Sequence, residues 1–312
     1  MAAGADSQSA GSQAAAIGGK APFALFLVLQ CTAPGKAREL ARACAGLPAL
    51  VRRVVKAGSE TRIESAVGFG AAFWDAVSPA ARPRGLLALP EIHGTVGPVP
   101  STGGDIFLHV KSARPDFNLE LARHFMASLG GAVRGLEEVH GFRHRDWRDL
   151  TGFIDGTANP AGRARRAAAL IGAEDPAFAG GSYVLAQRYV HDLERWSRLP
   201  VAQQEAIIGR TRRDSRELAH APDSAHIRRA ELHVDGREQP IYRQSLPYGT
   251  AAGESGLYFA AYARDTARFV GMLERMMGAA GDGVHDRLME FTRPVSGAFF
   301  FVPGLKALKA LG

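Results

Sequence analysis

The segment Thr151-Gly-Phe-Ile-Asp-Gly-Thr-Ala-Asn-Pro160 sets one carboxylate, Asp155, between an apolar residue and a glycine. Glycines at 152 and 156 permit φ > 0 and let the backbone approach a ligand closely. A carboxylate on such a turn can act as a general acid/base or as a metal ligand. The plainer reading of the same residues is an Asp-Gly turn closed by Asn-Pro. Arg243 lies in the strand-like run Ile241-Tyr-Arg-Gln-Ser-Leu-Pro-Tyr-Gly249, where period-two alternation gives Arg243 and Ser245 one face and Tyr242 and Gln244 the other. An inward-facing arginine needs an anion, whereas an outward-facing one could ladder with Glu231 or Glu238. His226, in Ala221-Pro-Asp-Ser-Ala-His-Ile-Arg-Arg229, follows small residues that leave room for a planar ligand beside the imidazole. Taken alone, that histidine also reads as polar surface.

The remaining histidines of the ten carry less. His140 and His144 stand four apart, as two metal ligands on one helical turn would, but Gly141 and the lack of a third ligand favour a surface pair. His109 and His233 fall in apolar-alternating runs and read as half-buried strand residues. His191, just before Asp192, reads as a helix cap. Cys31 and Cys44 form no CxxC or CxxCH pattern, which argues against zinc ribbons, dithiol redox sites and haem attached through cysteine pairs. Both are expected to be reduced, buried and small.

The chain has 312 residues, 46% hydrophobic and 22% charged, a composition that fits a soluble folded protein and excludes disordered and collagen-like classes. Its 38 Lys+Arg against 31 Asp+Glu leave a net charge of +7, which makes nucleic acid the first partner to consider. The densest basic run, Arg210, Arg212, Arg213 and Arg216 followed by Arg228 and Arg229, is threaded with Asp214, Glu217, Asp223 and Glu231. No uninterrupted basic arm results, so a nucleic-acid role ranks low. Residues 1–20 read as a disordered lead-in without an export signal, and no run approaches the ~20 apolar residues that span a bilayer. A cytoplasmic location is expected.

Strands are expected at Phe23–Gln30, Ile63–Gly70 and Asp105–Lys111, with helices at Lys36–Val55 and Phe117–Leu129 and a long loop over Pro83–Gly104. The second half repeats this order: a strand at Ser182–Val190, a helix around Pro200–Ile208, a strand at Leu257–Ala263, a helix at Thr266–Met277 and a closing strand at Gly297–Val302. In both halves a strand reaches Ala-Arg, an Asp follows to cap the next helix and a glycine ends it. Two βαββαβ units in tandem describe an α+β, duplicated ferredoxin-like fold, with 21–150 as the first unit and 151–312 as the second.

Together, the Gly152–Pro160 segment, His226 in Ala-His-Ile-Arg-Arg, and Arg243-Gln-Ser245 resemble the haem-containing dye-decolorising peroxidases, most closely their bacterial B-type (P-class) members. Gly180–Asp192, Ile208-Gly-Arg210, Gly256–Tyr262 and Asp286–Gly297 extend the likeness, which covers about residues 20 to 305. The resemblance implies one haem b per chain, bound in the second unit, and a peroxidase that reduces hydrogen peroxide through a ferryl intermediate while oxidising dyes, phenolics or other small donors. It implies His226 as the iron ligand with Asp286 on its other ring nitrogen. Asp155, Arg243 and Ser245 would form the opposite, distal face, and Asn159 would join the cofactor-binding residues. Ser245 departs from relatives that carry asparagine there. Tyr183, Tyr189, Trp196, Tyr258 and Tyr262 are candidate electron relays by composition and core residues by the usual behaviour of aromatics. A homo-oligomer is expected. Encapsulation by an encapsulin shell is not, since no long tail follows Val302-Pro-Gly-Leu-Lys-Ala-Leu-Lys. The rival reading is a haem-handling protein, deferrochelatase-like, without peroxidase turnover as its main role.

Overall fold

The computed structural model describes residues 11–58 and 62–312. The first half runs β1 (Phe23–Cys31), α1 (Ala37–Ala45), α2 (Leu47–Gly58), β2 (Glu64–Phe69), β3 (Ile106–Ser112), α3 (Pro115–Leu129) and β4 (Val133–Phe142). The second runs β5 (Ser182–His191), α4 (Leu193–Ser197), α5 (Val201–Ile208), α6 (His226–Arg229), β6 (Tyr242–Arg243), β7 (Leu246–Gly249), β8 (Ser255–Ala263), α7 (Ala267–Met277), β9 (Thr292–Pro294) and β10 (Ala298–Val302). Ten strands form one antiparallel sheet in the order β6-β8-β5-β10-β2-β3-β1-β4, with β7 also on β8 and β9 also on β5. Each half thus shows the same spatial order, second–third–first–fourth, which is the duplicated ferredoxin-like fold. The halves meet edge to edge at β10 and β2 through a single residue pair, Phe301 with Phe69.

Period-two alternation divides the strand residues between two apolar layers. Leu25, Leu27 and Leu29 of β1 face the helices with Leu121 and Phe125 of α3. Phe26 and Val28 face the other way, into a layer between the two halves shared with Tyr258, Tyr262 and Phe300. Phe26 stacks on Tyr258 with ring centroids 4.3 Å apart, so β1 of the first unit packs against β8 of the second. Because both faces of β1 are covered, its sequence is an almost unbroken apolar run.

Three local expectations need correction. The helix expected over Lys36–Val55 is two helices, α1 and α2. Pro48, at the second position of α2, has no N–H and its ring collides with a carbonyl four residues back, so one continuous helix cannot pass through it. His233 is exposed on a two-residue strand rather than half-buried. The expected disordered lead-in is, from Gly11 on, part of the fold, and residues 1–10 lie outside the described residues. Ala14–Ile17 is a short helix with Ala15 and Ala16 buried. The buried Gln13 side chain donates to the carbonyls of Val67 (2.9 Å) and Pro303 (3.0 Å) and accepts from the Val67 N–H (2.8 Å). Its amide therefore supplies β2 with bonds that a longer β10 ladder would otherwise make.

Replacing Gln13 with Ala leaves buried peptide groups without partners and is expected to cost about 2 kcal/mol of stability, read as a lower urea midpoint. An unchanged midpoint would mean that the N-terminal strap is not held on the fold.

Candidate functional site

α6 begins at His226, directly after the extended residue Ala225. Its imidazole is 27% exposed, whereas the carboxylate behind it, Asp286, is 0% exposed. His226 Nδ1 lies 2.6 Å from Asp286 Oδ2. A carboxylate accepts, so Nδ1 is the donor of this bond and Nε2 is the ring nitrogen left over for a metal. Asp286 is itself held on three sides. Its Oδ1 accepts from the Leu288 N–H (2.9 Å), its N–H donates to Met276 O at the end of α7 (2.9 Å), and the next N–H, of Arg287, donates to Ser224 O (3.0 Å) two residues before His226.

Across the cleft, residues 146–160 form a loop organised by a carboxylate that sequence reasoning missed. Asp149 accepts from the hydroxyl (2.6 Å) and N–H (3.1 Å) of Thr151 and pairs with His191 Nε2 at 3.2 Å. Burial would raise its pKa, but His191 and the Thr151 bonds outweigh burial and hold it at about 2. His191 is therefore not the cap. Asp192 is, accepting from the Arg195 N–H, while His191 Nδ1 engages the Thr292 hydroxyl.

Beyond this anchor, Gly152 and Gly156 take φ +91° and +73°, and Asp155 is fixed by its N–H to Trp147 O (2.9 Å). Its own carbonyl accepts from Lys20 Nζ at 2.7 Å. Gly156 makes that approach possible, because a Cβ there would stand 2.9 Å from the ammonium. Burial lowers the Lys20 pKa, Asp155 opposes the change and Arg243 adds to it.

Arg243 reaches the cleft from β6, an edge of the sheet. Asn159 clamps its peptide from both sides, accepting from the Arg243 N–H (3.0 Å) and donating to its carbonyl (2.8 Å). No ladder with Glu231 or Glu238 forms. Arg243 makes no ion pair with a described carboxylate, and its Nε has no protein partner.

Asp155, His226 and Arg243 line one cleft. Its inner wall is apolar, with Phe153, Leu257, Phe259, Met276 and Met289. Its mouth is polar, with Arg210, Arg228, Glu238 and Arg268. Such a space suits a flat apolar ligand with anionic edges and a metal that takes an imidazole nitrogen. Models of the Dyp-type peroxidase N-terminal and C-terminal regions match residues 13–143 and 146–307.

The chain belongs to the Dyp-type peroxidase family.

Among the relatives of this Dyp-type chain, the dye-decolorizing peroxidase of Mycolicibacterium paratuberculosis is 38% identical over 289 residues, 90% of this chain and 80% of the relative. A variant of DypB from Rhodococcus jostii RHA1, solved in complex with haem, superposes with a TM-score of 0.93 at 37% identity, covering 96% of this chain and 99% of that one. The deferrochelatase of Yersinia pestis matches only half of this chain, at 29% identity.

Within this Dyp-type site, Tyr189 and His191 join the inner wall and Arg210 and Arg228 the mouth, whereas Asn159, Asp286 and Ser245 do not line the cleft. Asn159 stands behind Arg243, Asp286 behind His226, and Ser245 lines a small chamber beyond Arg243. His140 is exposed on β4 and paired with Glu138, and the described residues contain no cluster suited to a metal ion held by His, Cys, Asp or Glu alone. Tyr183, Tyr189, Trp196, Tyr258 and Tyr262 are all buried, as is Cys44, while Cys31 is partly exposed and both thiols are free. Three of the six arginines of the basic run are paired locally, as Arg210–Glu217, Arg216–Asp214 and Arg229–Asp282. No helix of the described residues is long and apolar enough to cross a membrane.

Asp149 yields a pH prediction. Its folded pKa lies below the ordinary value of about 3.9, so its stabilisation is present above pH ~4 and is lost as the pH falls toward about 2. The stability gap between wild type and Asp149→Asn should be widest at neutral pH and close over that window in acid unfolding titrations. A gap independent of pH would refute the lowered Asp149 pKa.

Proposed function

We propose that Asp155, Arg243 and His226 perform the peroxidase chemistry of this family, with residues 151–312 as the cofactor-binding unit. A Dyp-type peroxidase is a haem enzyme that reduces hydrogen peroxide at the expense of an electron donor, and this chain is one. The residues suit haem in three ways. His226 has its Nδ1 taken up by a buried carboxylate, which leaves Nε2 for the iron; the inner cleft is apolar where a macrocycle would lie; and arginines stand at the mouth where propionates would emerge. The observation that carries the assignment is the 2.6 Å bond from His226 to a fully buried Asp286.

Bound haem supplies an iron that takes oxidising equivalents from peroxide and passes them to the donor. His226 would hold that iron through Nε2. Asp286, accepting from Nδ1, fixes the tautomer and strengthens the imidazole as a donor. On the distal side, the Asp155 carboxylate takes the proton from one peroxide oxygen and returns it to the other, which leaves as water. The Arg243 guanidinium stabilises the negative charge that develops as the O–O bond breaks. Asn159 keeps that guanidinium aimed by gripping its backbone, and Lys20 and Asp149 fix the loop that carries Asp155. Small donors such as phenolics and dyes are the proposed reductants.

His226→Ala should abolish the Soret band of the wild type or most of the bound haem, and an unchanged spectrum would mean that another residue is the ligand. Arg243→Leu should retain haem while slowing the reaction with peroxide about a hundredfold, measured by stopped flow. Asp155→Ala in the same assay tests the proton shuttle, and a wild-type rate would transfer that role to Arg243 acting with water.

A further inference from the structure

Lys111, on β3, is a charged residue only 2% exposed, and it does not line the cleft. Glu64 stands directly opposite it on β2, with Oε2 3.1 Å from Lys111 Nζ. The ammonium also donates to the Gly19 carbonyl at 2.6 Å and to Gln244 Oε1 at 2.9 Å. Burial pulls its pKa down to about 8, with Glu64 opposing the fall and Arg165 and Arg62 adding to it. At neutral pH it is therefore protonated and has three N–H groups for these three acceptors. A buried ion pair adds little net stability, because both charges must first leave water. What this one does is gather three segments of the chain.

Two of those segments carry the distal groups. Gly19 directly precedes Lys20, whose Nζ donates to the Asp155 carbonyl at 2.7 Å. Gln244 directly follows Arg243, and with alternating side chains it faces the strap while Arg243 faces the cleft. Gln244 and Tyr242, one on each side of Arg243, both donate to the Gly18 carbonyl. The strap passes directly over the ion pair, since a Cβ on Gly18 would collide with Glu64 Oε2. The third segment is β3 with its neighbour β2. β3 lies inside the sheet, bonded along its length to β1 on one side and β2 on the other. One ammonium thus ties the backbone next to each distal group to a firmly held strand.

We propose that Lys111 is a positioning residue for the reaction with peroxide, holding the strap and the Arg243 segment from behind so that Asp155 and Arg243 stay aimed at the cleft. It acts through the neighbouring backbone and not on peroxide itself. The role rests on Asp155 and Arg243 acting on peroxide as assigned above; the tether itself does not.

Stopped-flow mixing of the haem-loaded protein with peroxide tests this. Lys111→Met has similar length and no donor, and Glu64 keeps Arg62 as a partner at 2.8 Å. The variant should show the wild-type Soret band and donor KM but react with peroxide about tenfold more slowly, the scale of one hydrogen bond to a charged group. Made in an Asp155→Ala/Arg243→Leu background, the same substitution should slow the reaction no further, because effects that run through shared partners do not add. A wild-type rate in Lys111→Met, or an equal loss in both backgrounds, would overturn the proposal. If Lys111→Met does not fold, Gly18→Ala decides by the same comparison, since it keeps the lysine and drives the strap off the ion pair. Amide hydrogen exchange of residues 13–20 reads the tether without turnover: it should be faster in either variant, and wild-type exchange in both would overturn the tether. If the Asp155→Ala/Arg243→Leu protein itself reacts at the wild-type rate, the assignment of the distal groups fails and takes the positioning role with it, while the exchange result still decides the tether.

Discussion

Asp286 is a carboxylate with no access to solvent, and burying it is tolerable only because every polar atom it offers is engaged. One oxygen accepts the hydrogen bond from the His226 ring N–H and the other caps the turn that follows. That single bond constrains much around it. It sets which nitrogen of His226 faces the cleft and ties the four-residue helix α6 to the end of α7. A helix of one turn has little stability of its own, so His226 depends on this partner and on the Arg287–Ser224 link for its position.

The opposite face is built on a different plan. Asp155 and Arg243 sit on a loop and on a sheet edge, elements that move easily unless held, and each is fixed through its backbone. Asn159 grips both peptide groups of Arg243, Trp147 and Lys20 hold those of Asp155, and Asp149 braces the start of the loop against His191 on β5. The strap that delivers Lys20 also offers the Gly18 carbonyl to Tyr242 and Gln244, the two neighbours of Arg243. Holding the backbone leaves both side chains free to face the cleft. Precise placement of this kind is what electrostatic stabilisation of a developing charge requires.

The strands of the core were legible because β1, β3, β5 and β8 are short runs rich in apolar and β-favouring residues, buried on both faces, and the repeat of Ala-Arg, Asp and terminal Gly exposed the duplication. β4 carried almost no signal, since its Arg134-Gly-Leu-Glu-Glu stretch lies mostly in solvent. His226, Asp155 and Arg243 each looked ordinary in isolation and became informative only as a set in a familiar order. The strap was illegible because Ala, Gly, Ser and Gln read as low complexity. What orders it is Gln13 meeting Val67 and Pro303, 54 and 290 residues away. Asp149 was hidden for the same reason, its partner His191 being 42 residues distant. Interactions that depend on one long-range pair leave no local pattern.

The most direct test of the His226–Asp286 pair is the iron–histidine stretching band in the resonance Raman spectrum of the reduced, haem-loaded protein, compared between wild type and Asp286→Asn. A ring nitrogen deprived of its anionic acceptor is a weaker donor, so the band should move to lower frequency in the variant. Identical frequencies in the two proteins would contradict the role given to the buried carboxylate.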